Sequence, residues 1–284
     1  MKVLITGSNG QLGKELVDQL KQLNIALFPF SKEELDITDF NKVYNVVREI
    51  EPDIIINAAA FTNVDQAEVE KERAFNINAF GPRNLAVAAE KVDAKICYIS
   101  TDYVFDGTAT QPYEEFAPVN PLGVYGKSKY AGEQLTQSLS TKYFIVRTAW
   151  VYGEYGNNFV KTMLKLATEK DEIGVVHDQV GSPTYTVDLA TFIIDLVQTD
   201  KYGIYHCTNE GSCSWFEFAQ AIFDEAGVDI KVKPLTSNQF PRPAKRPSYS
   251  VLDNMALRVN DFSQPRHWRN ALNSFMSKFN NKLH

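Results

Sequence analysis

Cysteine, histidine and long apolar runs are all scarce in this chain of 284 residues. Its three cysteines, Cys97, Cys207 and Cys213, make an odd count with no Cys-x-x-Cys. That excludes a disulfide framework and leaves buried or half-buried free thiols in a reducing compartment. The four histidines, His177, His206, His267 and His284, are scattered and share no ligand spacing, so no transition-metal site is expected. No stretch approaches the ~20 apolar residues of a membrane span. The apolar run Val3-Leu-Ile5 is too short for a signal peptide, and a cytoplasmic location is expected. No block of like charge occurs and the formal net charge is −6, so nucleic acid and membrane surfaces are not expected partners. An anionic ligand must be caught by local groups.

The chain has no internal repeat and no low-complexity linker. Its length suits one large α/β domain with a smaller partner lobe, enough to bury a core without staples. The first half alternates short apolar runs with helical spacing. Lys2–Thr6, Ile25–Phe30, Asp53–Ala59, Lys95–Ser100 and Tyr143–Thr148 read as strands, with Pro29 limiting the second. Gln11–Leu23 places Leu12, Leu16, Leu20 and Leu23 at helical spacing, and Asp39–Ile50 does the same with Phe40, Val43, Val47 and Ile50 before Pro52 stops it. Such βαβ alternation predicts a parallel sheet with helices on both faces. After residue 150 the rhythm loosens. Helices are expected at Asn158–Lys170, Thr186–Gln198 and from the Ser214-x-x-Glu217 capping box to Ala226. Short strands are expected at Ile173–Val176 and Lys231–Leu235, and the proline- and arginine-rich Phe240–Pro247 reads as a loop. The reading gives residues 1–150 as one domain and 151–284 as mainly a second lobe, with a segment near 186–207 returning to the first.

Gly7-Ser8-Asn9-Gly10-Gln11-Leu12-Gly13 stands between a strand and a helix, the context a phosphate-binding turn requires. A helix N-terminus there offers unpaired N–H groups to a pyrophosphate, and glycines let the backbone approach closely. At the end of the second strand, Ser31 and Lys32 stand where NAD-specific sites carry an acid. A hydroxyl and a cation suit a 2′-phosphate, which favours NADP, although Glu33 and Glu34 follow at once. Tyr125-Gly-Lys-Ser-Lys129 is a Tyr-x-x-x-Lys, whose ends share a helix face. An ammonium beside a phenol stabilises phenolate and is expected to lower the Tyr125 pKa towards neutrality, where it can exchange a proton. Lys127 fits no such role and reads as solvated.

These motifs, with Asn57-Ala-Ala-Ala60 and Ser100-Thr101-Asp102, resemble the extended short-chain dehydrogenase/reductase family. Ala59–Glu68, Ser100–Gly107, Arg147–Gly153, Asp178–Thr184 and Arg246–Asp253 are similar to its dTDP-4-dehydrorhamnose reductase branch over nearly the whole chain. The resemblance implies a Rossmann-type doubly wound parallel sheet with a smaller C-terminal α/β substrate-binding lobe. It implies NADPH, with NADH as the alternative, and reduction of a 4-keto-6-deoxy sugar carried on dTDP to give dTDP-L-rhamnose. Cofactor contacts are expected from Gly7, Asn9, Gly10, Gln11, Leu12, Gly13, Ser31, Asp36, Ile37, Ala58, Ala59 and Ala60, with Tyr125 and Lys129. Tyr125 would protonate the alkoxide, Lys129 would tune Tyr125 and hold the nicotinamide ribose, and Thr101 would bond the carbonyl oxygen. Sugar-nucleotide dehydratases carry an Asp-Glu pair after that threonine; here Asp102 is followed by Tyr103, which favours simple reduction.

On the substrate side the resemblance points to Thr101, Asp102, Tyr103, Trp150, Asn158, Phe159, Gln179, Thr184 and Arg246. Trp150 is either a stacking ring for sugar or base or a core aromatic. Arg246 is the first candidate for the diphosphate, because guanidinium forks onto phosphate oxygens, and Arg242 the second. Some family members dimerise through acidic residues and Mg²⁺. Glu15 matches one such position but has no later partners, so it reads as an exposed helix carboxylate; Mg²⁺ stays unsupported and the chain is a monomer or a homodimer. Two neighbouring readings stay open: another nucleotide-sugar reductase or epimerase, and a non-catalytic NADP-binding regulatory subunit of methionine adenosyltransferase.

Overall fold

The computed structural model describes residues 1–280; His284 lies outside the described residues. In chain order the first half comprises β1 (Lys2–Thr6), α1 (Gln11–Leu20), β2 (Ala26–Phe30), α2 (Phe40–Ile50), β3 (Ile54–Asn57), α3 (Val64–Val69), α4 (Lys71–Phe75), a π-helical turn (Asn76–Phe80), α5 (Gly81–Lys91), β4 (Lys95–Thr101), α6 (Val124–Leu139) and β5 (Tyr143–Thr148). The second half comprises β6 (Val151–Tyr152), α7 (Phe159–Ala167), β7 (Glu172–Val176), β8 (Val180–Gly181), β9 (Thr184–Tyr185), α8 (Thr186–Val197), β10 (Gly203–His206), β11 (Cys213–Ser214), α9 (Trp215–Ala226), β12 (Lys231–Leu235), α10 (Met255–Val259) and α11 (Trp268–Asn280).

Six parallel strands form the main sheet in the order β10-β5-β4-β3-β1-β2. Alternation along β1 divides its side chains between two cores. Val3 and Ile5 pack with Leu16 and Leu20 of α1 and Leu189 and Ile193 of α8, while Leu4 packs with Val43 and Val47 of α2 and Leu85 of α5. The sheet is therefore covered on both faces, as its unbroken apolar strands demand. Pro29 is accommodated because β2 is an edge strand, in register with Ile5. Strand order reverses between β1 and β3, and a crevice opens at such a switch point, outside the C-terminal ends of the strands. Beyond β5, the parallel pair β7–β12 packs with α7, α9 and α11 around Phe218, Trp268 and Phe275.

Local chemistry sets the element ends. Asp39 caps α2, accepting from the Lys42 N–H at 3.0 Å, and Glu51 ends it in the left-handed region before Pro52. The Ser214–Glu217 capping box is present in both directions. Three helical stretches carry no expectation from the pattern: 64–91, which the π-turn interrupts, α10, and α11, with its apolar positions at Leu272, Phe275 and Met276.

Helix α6 lies unusually close to its neighbours. A Cβ on Gly132 would fall 2.2 Å from the Asn78 carbonyl oxygen and 2.6 Å from the Tyr98 hydroxyl; one on Gly126 would fall 2.1 Å from the Tyr103 carbonyl oxygen. Helix propensity alone would favour alanine by about 1 kcal/mol, but overpacking of a tight interface costs about 1–3 kcal/mol. Gly132→Ala is expected to lower the urea midpoint with an unchanged slope. A higher midpoint would show that α6 has room to move away.

Candidate active site

The turn after β1 is pressed onto the end of β3. Gly7 has φ of +69°, and a Cβ there would lie 2.6 Å from the Ala59 nitrogen. A Cβ on Gly13 would lie 2.1 Å from the Gly7 carbonyl oxygen, so only glycine closes the turn from behind. Gly10 caps α1 without any side-chain hydrogen bond, leaving the first N–H groups of the helix to a ligand. Two cavities meet there. One, of about 380 Å³, is lined by Gly7, Asn9 and Gly10, by Lys32, Asp36 and Ile37, by Ala58, Ala59 and Ala60, and by Arg73. The other, of about 590 Å³, runs from Gln11 and Leu12 to Thr101, Asp102, Tyr103, Tyr125, Lys129 and Trp150. Asn9, Gly10, Ala58 and Ala60 belong to both, so the two form one trough over the N-terminus of α1. A glycine cradle, free helix N–H groups and a trough of this size fit a dinucleotide.

Ser31 does not line this trough. It is buried, its N–H donates to Glu34 Oε2 at 2.8 Å and its hydroxyl accepts from the Glu34 N–H at 3.4 Å. This local turn engages the Ser31 N–H and hydroxyl, and Lys32, not Ser31, lines the trough. Arg73, which sequence reasoning missed, joins Lys32 there; it pairs with Glu70 at 2.6 Å and lies over the Phe61 ring. No local motif marks Arg73, because only the chain's return through α4 brings it to the trough.

Thr101 ends β4 opposite Thr148 of β5. Its hydroxyl donates to Asp102 Oδ1 at 2.9 Å and accepts from the Tyr103 N–H at 3.2 Å. Burial pushes the Asp102 carboxyl up to about 6, against hydrogen bonding from Ser250 and Thr101. The Tyr125 and Tyr103 rings meet edge to face with centroids 5.6 Å apart. Lys129 is buried, donates to the Ile99 carbonyl oxygen at 2.6 Å and lies 4.2 Å from the Tyr98 ring centroid. Burial lowers Lys129 to about 7, opposed by the charge of Glu133. The shift expected for Tyr125 is therefore corrected. Burial pushes its phenol up to about 12, with the Thr101 hydrogen bond acting the other way. The ammonium is spent on Ile99 and Tyr98 instead of on the phenol.

Trp150 and Trp215 close the far side of the trough. Trp150, at φ +47°, stacks on Trp215 with ring centroids 3.5 Å apart and planes 8° from parallel. One face of Trp150 is thus already covered, and the pair forms a wall of the trough. Trp215 carried a sequence signal only as the residue after an N-cap. Phe159, Gln179, Trp215, Arg242 and Arg246 line a neighbouring cavity of about 640 Å³. Gln179 donates to Ser237 Oγ at 2.9 Å. Asn158 caps α7 and donates to the Gly153 carbonyl oxygen at 2.8 Å and to Gln11 Oε1 at 3.2 Å, so it acts on the trough only through Gln11. Thr184 lines no cavity described here; it is buried in β9, bonded to the Ser182 carbonyl oxygen. Glu15 also departs from expectation: it is buried, accepts from Gln19 at 2.9 Å, and burial raises its pKa.

Arg246 and Arg242 both fork onto Asp65 of α3, at 3.0 and 2.6 Å, and the Ala244 N–H adds a third donor. Asp65 thus ties the 240–247 loop to α3. It falls within a string quoted above, yet nothing in its local pattern predicts arginines about 180 residues away.

A doubly wound parallel sheet, a glycine cradle at its switch point and Tyr125 and Lys129 beside Thr101 define a nicotinamide-dependent reductase of the short-chain dehydrogenase/reductase type. Residues 1–281 match the RmlD substrate binding domain, and the chain belongs to that family. It is 46% identical over 98% of its length, and 97% of the relative's, to the spore coat polysaccharide biosynthesis protein SpsK of Bacillus subtilis. It is 45% identical to a dTDP-4-dehydrorhamnose reductase of Aggregatibacter actinomycetemcomitans, covering 95% of this chain and 97% of that one. A Bacillus anthracis dTDP-4-dehydrorhamnose reductase solved in complex with NADP superposes with a TM-score of 0.96 at 52% identity, covering 98% of this chain and 99% of that one.

Burial raises the Asp65 carboxyl, but hydrogen bonds from Arg246, the Ala244 N–H and Arg242 outweigh it and hold it at about 2. A depressed carboxylate stabilises the fold above its unfolded pKa and loses that contribution as pH falls through the folded value. Asp65→Asn is expected to cost about 2 kcal/mol at pH 7, with the gap from wild type closing between pH 4 and 2. A gap independent of pH in chemical denaturation would mean that the charge is not what matters.

Proposed function

We propose that this chain reduces the C4 keto group of dTDP-4-dehydro-β-L-rhamnose to give dTDP-L-rhamnose, with NADPH as reductant and NADH as the alternative donor. The observation that carries this reading is the single trough that joins the glycine cradle to Thr101, Tyr125 and Lys129. Kinship at 45–52% identity with proteins named for that reaction, one of them holding NADP, supports both the substrate and the cofactor.

Bound NADPH supplies the hydride; the chain supplies binding, orientation and a proton. Gly7, Asn9, Gly10, Gln11, Leu12 and Gly13 would hold the diphosphate at the α1 N-terminus. Asp36, Ile37 and Ala58 to Ala60 would flank the adenosine, Lys32 and Arg73 would meet a 2′-phosphate, and Lys129 would hold the nicotinamide ribose. Thr101 and Tyr125 would bond the keto oxygen, stabilising charge where it develops. Tyr125 then passes its phenolic proton to that oxygen. Reduction needs a protonated acid, and burial keeps this phenol protonated at neutral pH. With Tyr103 following Asp102, the second carboxylate of an elimination is missing, which supports reduction over dehydration.

Residues 1–150 would carry the cofactor and 151–284 mainly the sugar nucleotide, with 186–207 returning to the first. Arg246 and Arg242 would offer guanidinium groups to the dTDP diphosphate beside Phe159 and Gln179. Among the described residues no helix is long and apolar enough to cross a membrane, and charged nucleotide substrates suit the cytoplasm.

Substrate-dependent loss of NADPH absorbance, with dTDP-4-dehydro-L-rhamnose made in situ, is the expected outcome. Tyr125→Phe should lower kcat by about 10²–10⁴-fold while NADPH affinity, followed by fluorescence, stays within a few-fold. Parallel loss of both would make Tyr125 structural. No turnover by wild type that still binds NADPH would remove the rhamnose assignment.

A further inference from the structure

One turn beyond Lys129 on α6, Glu133 is completely buried. Its carboxylate accepts a fork from Arg147 of β5, from Nε at 2.9 Å and from the terminal nitrogen at 2.7 Å. It also accepts from the Ser100 hydroxyl at 2.5 Å. Ser100 precedes Thr101 and stands in register with Arg147 across the β4–β5 ladder. A single carboxylate thus joins the helix carrying Tyr125 and Lys129 to the two strands whose ends carry Thr101 and Thr148. Arg147 is itself fixed by donating to the Glu115 carbonyl oxygen at 3.1 Å, with His206 Nε2 at 3.4 Å.

Such a pair is expensive as a mere stabiliser, because two desolvated charges seldom outperform apolar residues of the same size. Its placement gives it another use. The titratable and charged groups around Lys129 are Tyr98 from β4, Tyr125 and Glu133 from its own helix, and Arg147 from β5, with His206 of β10 behind it. Asn78 of the π-turn, reached through Tyr98, is neutral. Glu133 is the one anion among them, and the only group of this set whose charge favours the ammonium.

We propose that Glu133 is a positioning residue for the reduction: forked on Arg147 and bonded by Ser100, it sets α6 against β4 and keeps Lys129 an ammonium. The inference rests on the reading of Tyr125 and Lys129 as the working pair. A carboxylate one turn away favours the charged lysine, so removing it moves the loss of that charge to lower pH.

The test follows NADPH affinity by fluorescence and substrate turnover across pH 5 to 9 for wild type, Glu133→Gln and the double variant Glu133→Gln/Arg147→Met. The double variant removes the lone buried arginine that could stop the single one folding. The expected result is that the midpoint at which affinity and turnover fall with rising pH drops by about 1 unit in Glu133→Gln and by less in the double variant, which also loses the opposing charge of Arg147, with kcat lowered in both even on the acid side. An unchanged midpoint in a folded variant overturns the electrostatic role, and an unchanged acid-side kcat overturns the positioning role. A wild type that binds NADPH without turnover would defeat the reductase reading alone, since the binding midpoint still decides the role of Glu133.

Discussion

The seating of α6 is the constraint on which the rest of the site depends. Tyr125 and Lys129 are useful only beside the C-terminal end of β4, and α6 reaches that distance because Gly126 and Gly132 leave no side chain between it and the Tyr103 and Asn78 carbonyl groups. Tyr98 then fits under the helix, donating to the Asn78 carbonyl oxygen at 2.9 Å while its ring faces the Lys129 ammonium. Asn78 in turn exchanges hydrogen bonds with the Phe61 backbone and donates to Ser128 Oγ. The π-turn that carries Asn78 is thus part of the same packing problem: its side chain reaches Phe61 and Ser128, and its carbonyl oxygen reaches Tyr98.

Burial is the second theme of the site. Lys129, Asp102 and Tyr125 are all displaced from their ordinary ionisation by desolvation first and by neighbours second. For Tyr125 the direction keeps the phenol protonated at neutral pH. At Asp65 the balance is reversed. Asp65 is only partly buried and well bonded, so it stays ionised and grips two arginines. The same α3 helix meets α6, since Glu68 Oε1 accepts from the Val124 N–H at 2.8 Å. Loop 240–247 and the start of α6 are therefore held by one short helix.

Much of this was legible in residue order. The apolar runs at β1, β3, β4 and β5, the glycines of the turn after β1, the spacing of Tyr125 and Lys129 and the Ser214 capping box are local patterns, and each element lies where its pattern puts it to within a few residues. The site was less legible. Ser31 closes a turn with Glu34, Thr184 is a buried strand residue, Glu15 is covered, and Trp150 has already given one face to Trp215. Each of these depends on which neighbour reaches the side chain first.

The sequence by itself determined the period and polarity of each segment, hence a parallel sheet covered on both faces, and it marked the glycine turn and the Tyr-x-x-x-Lys helix. Those follow from interactions within a few residues of one another. Only the tertiary structure decided which charges meet: Arg73 with the cofactor trough, Asp65 with Arg242 and Arg246, Glu133 with Arg147 and Ser100, and Lys129 with Ile99 and Tyr98. The reason is physical. A charge's state and partner are set by desolvation and by groups within a few ångströms, and most of those groups come from segments far apart in the chain.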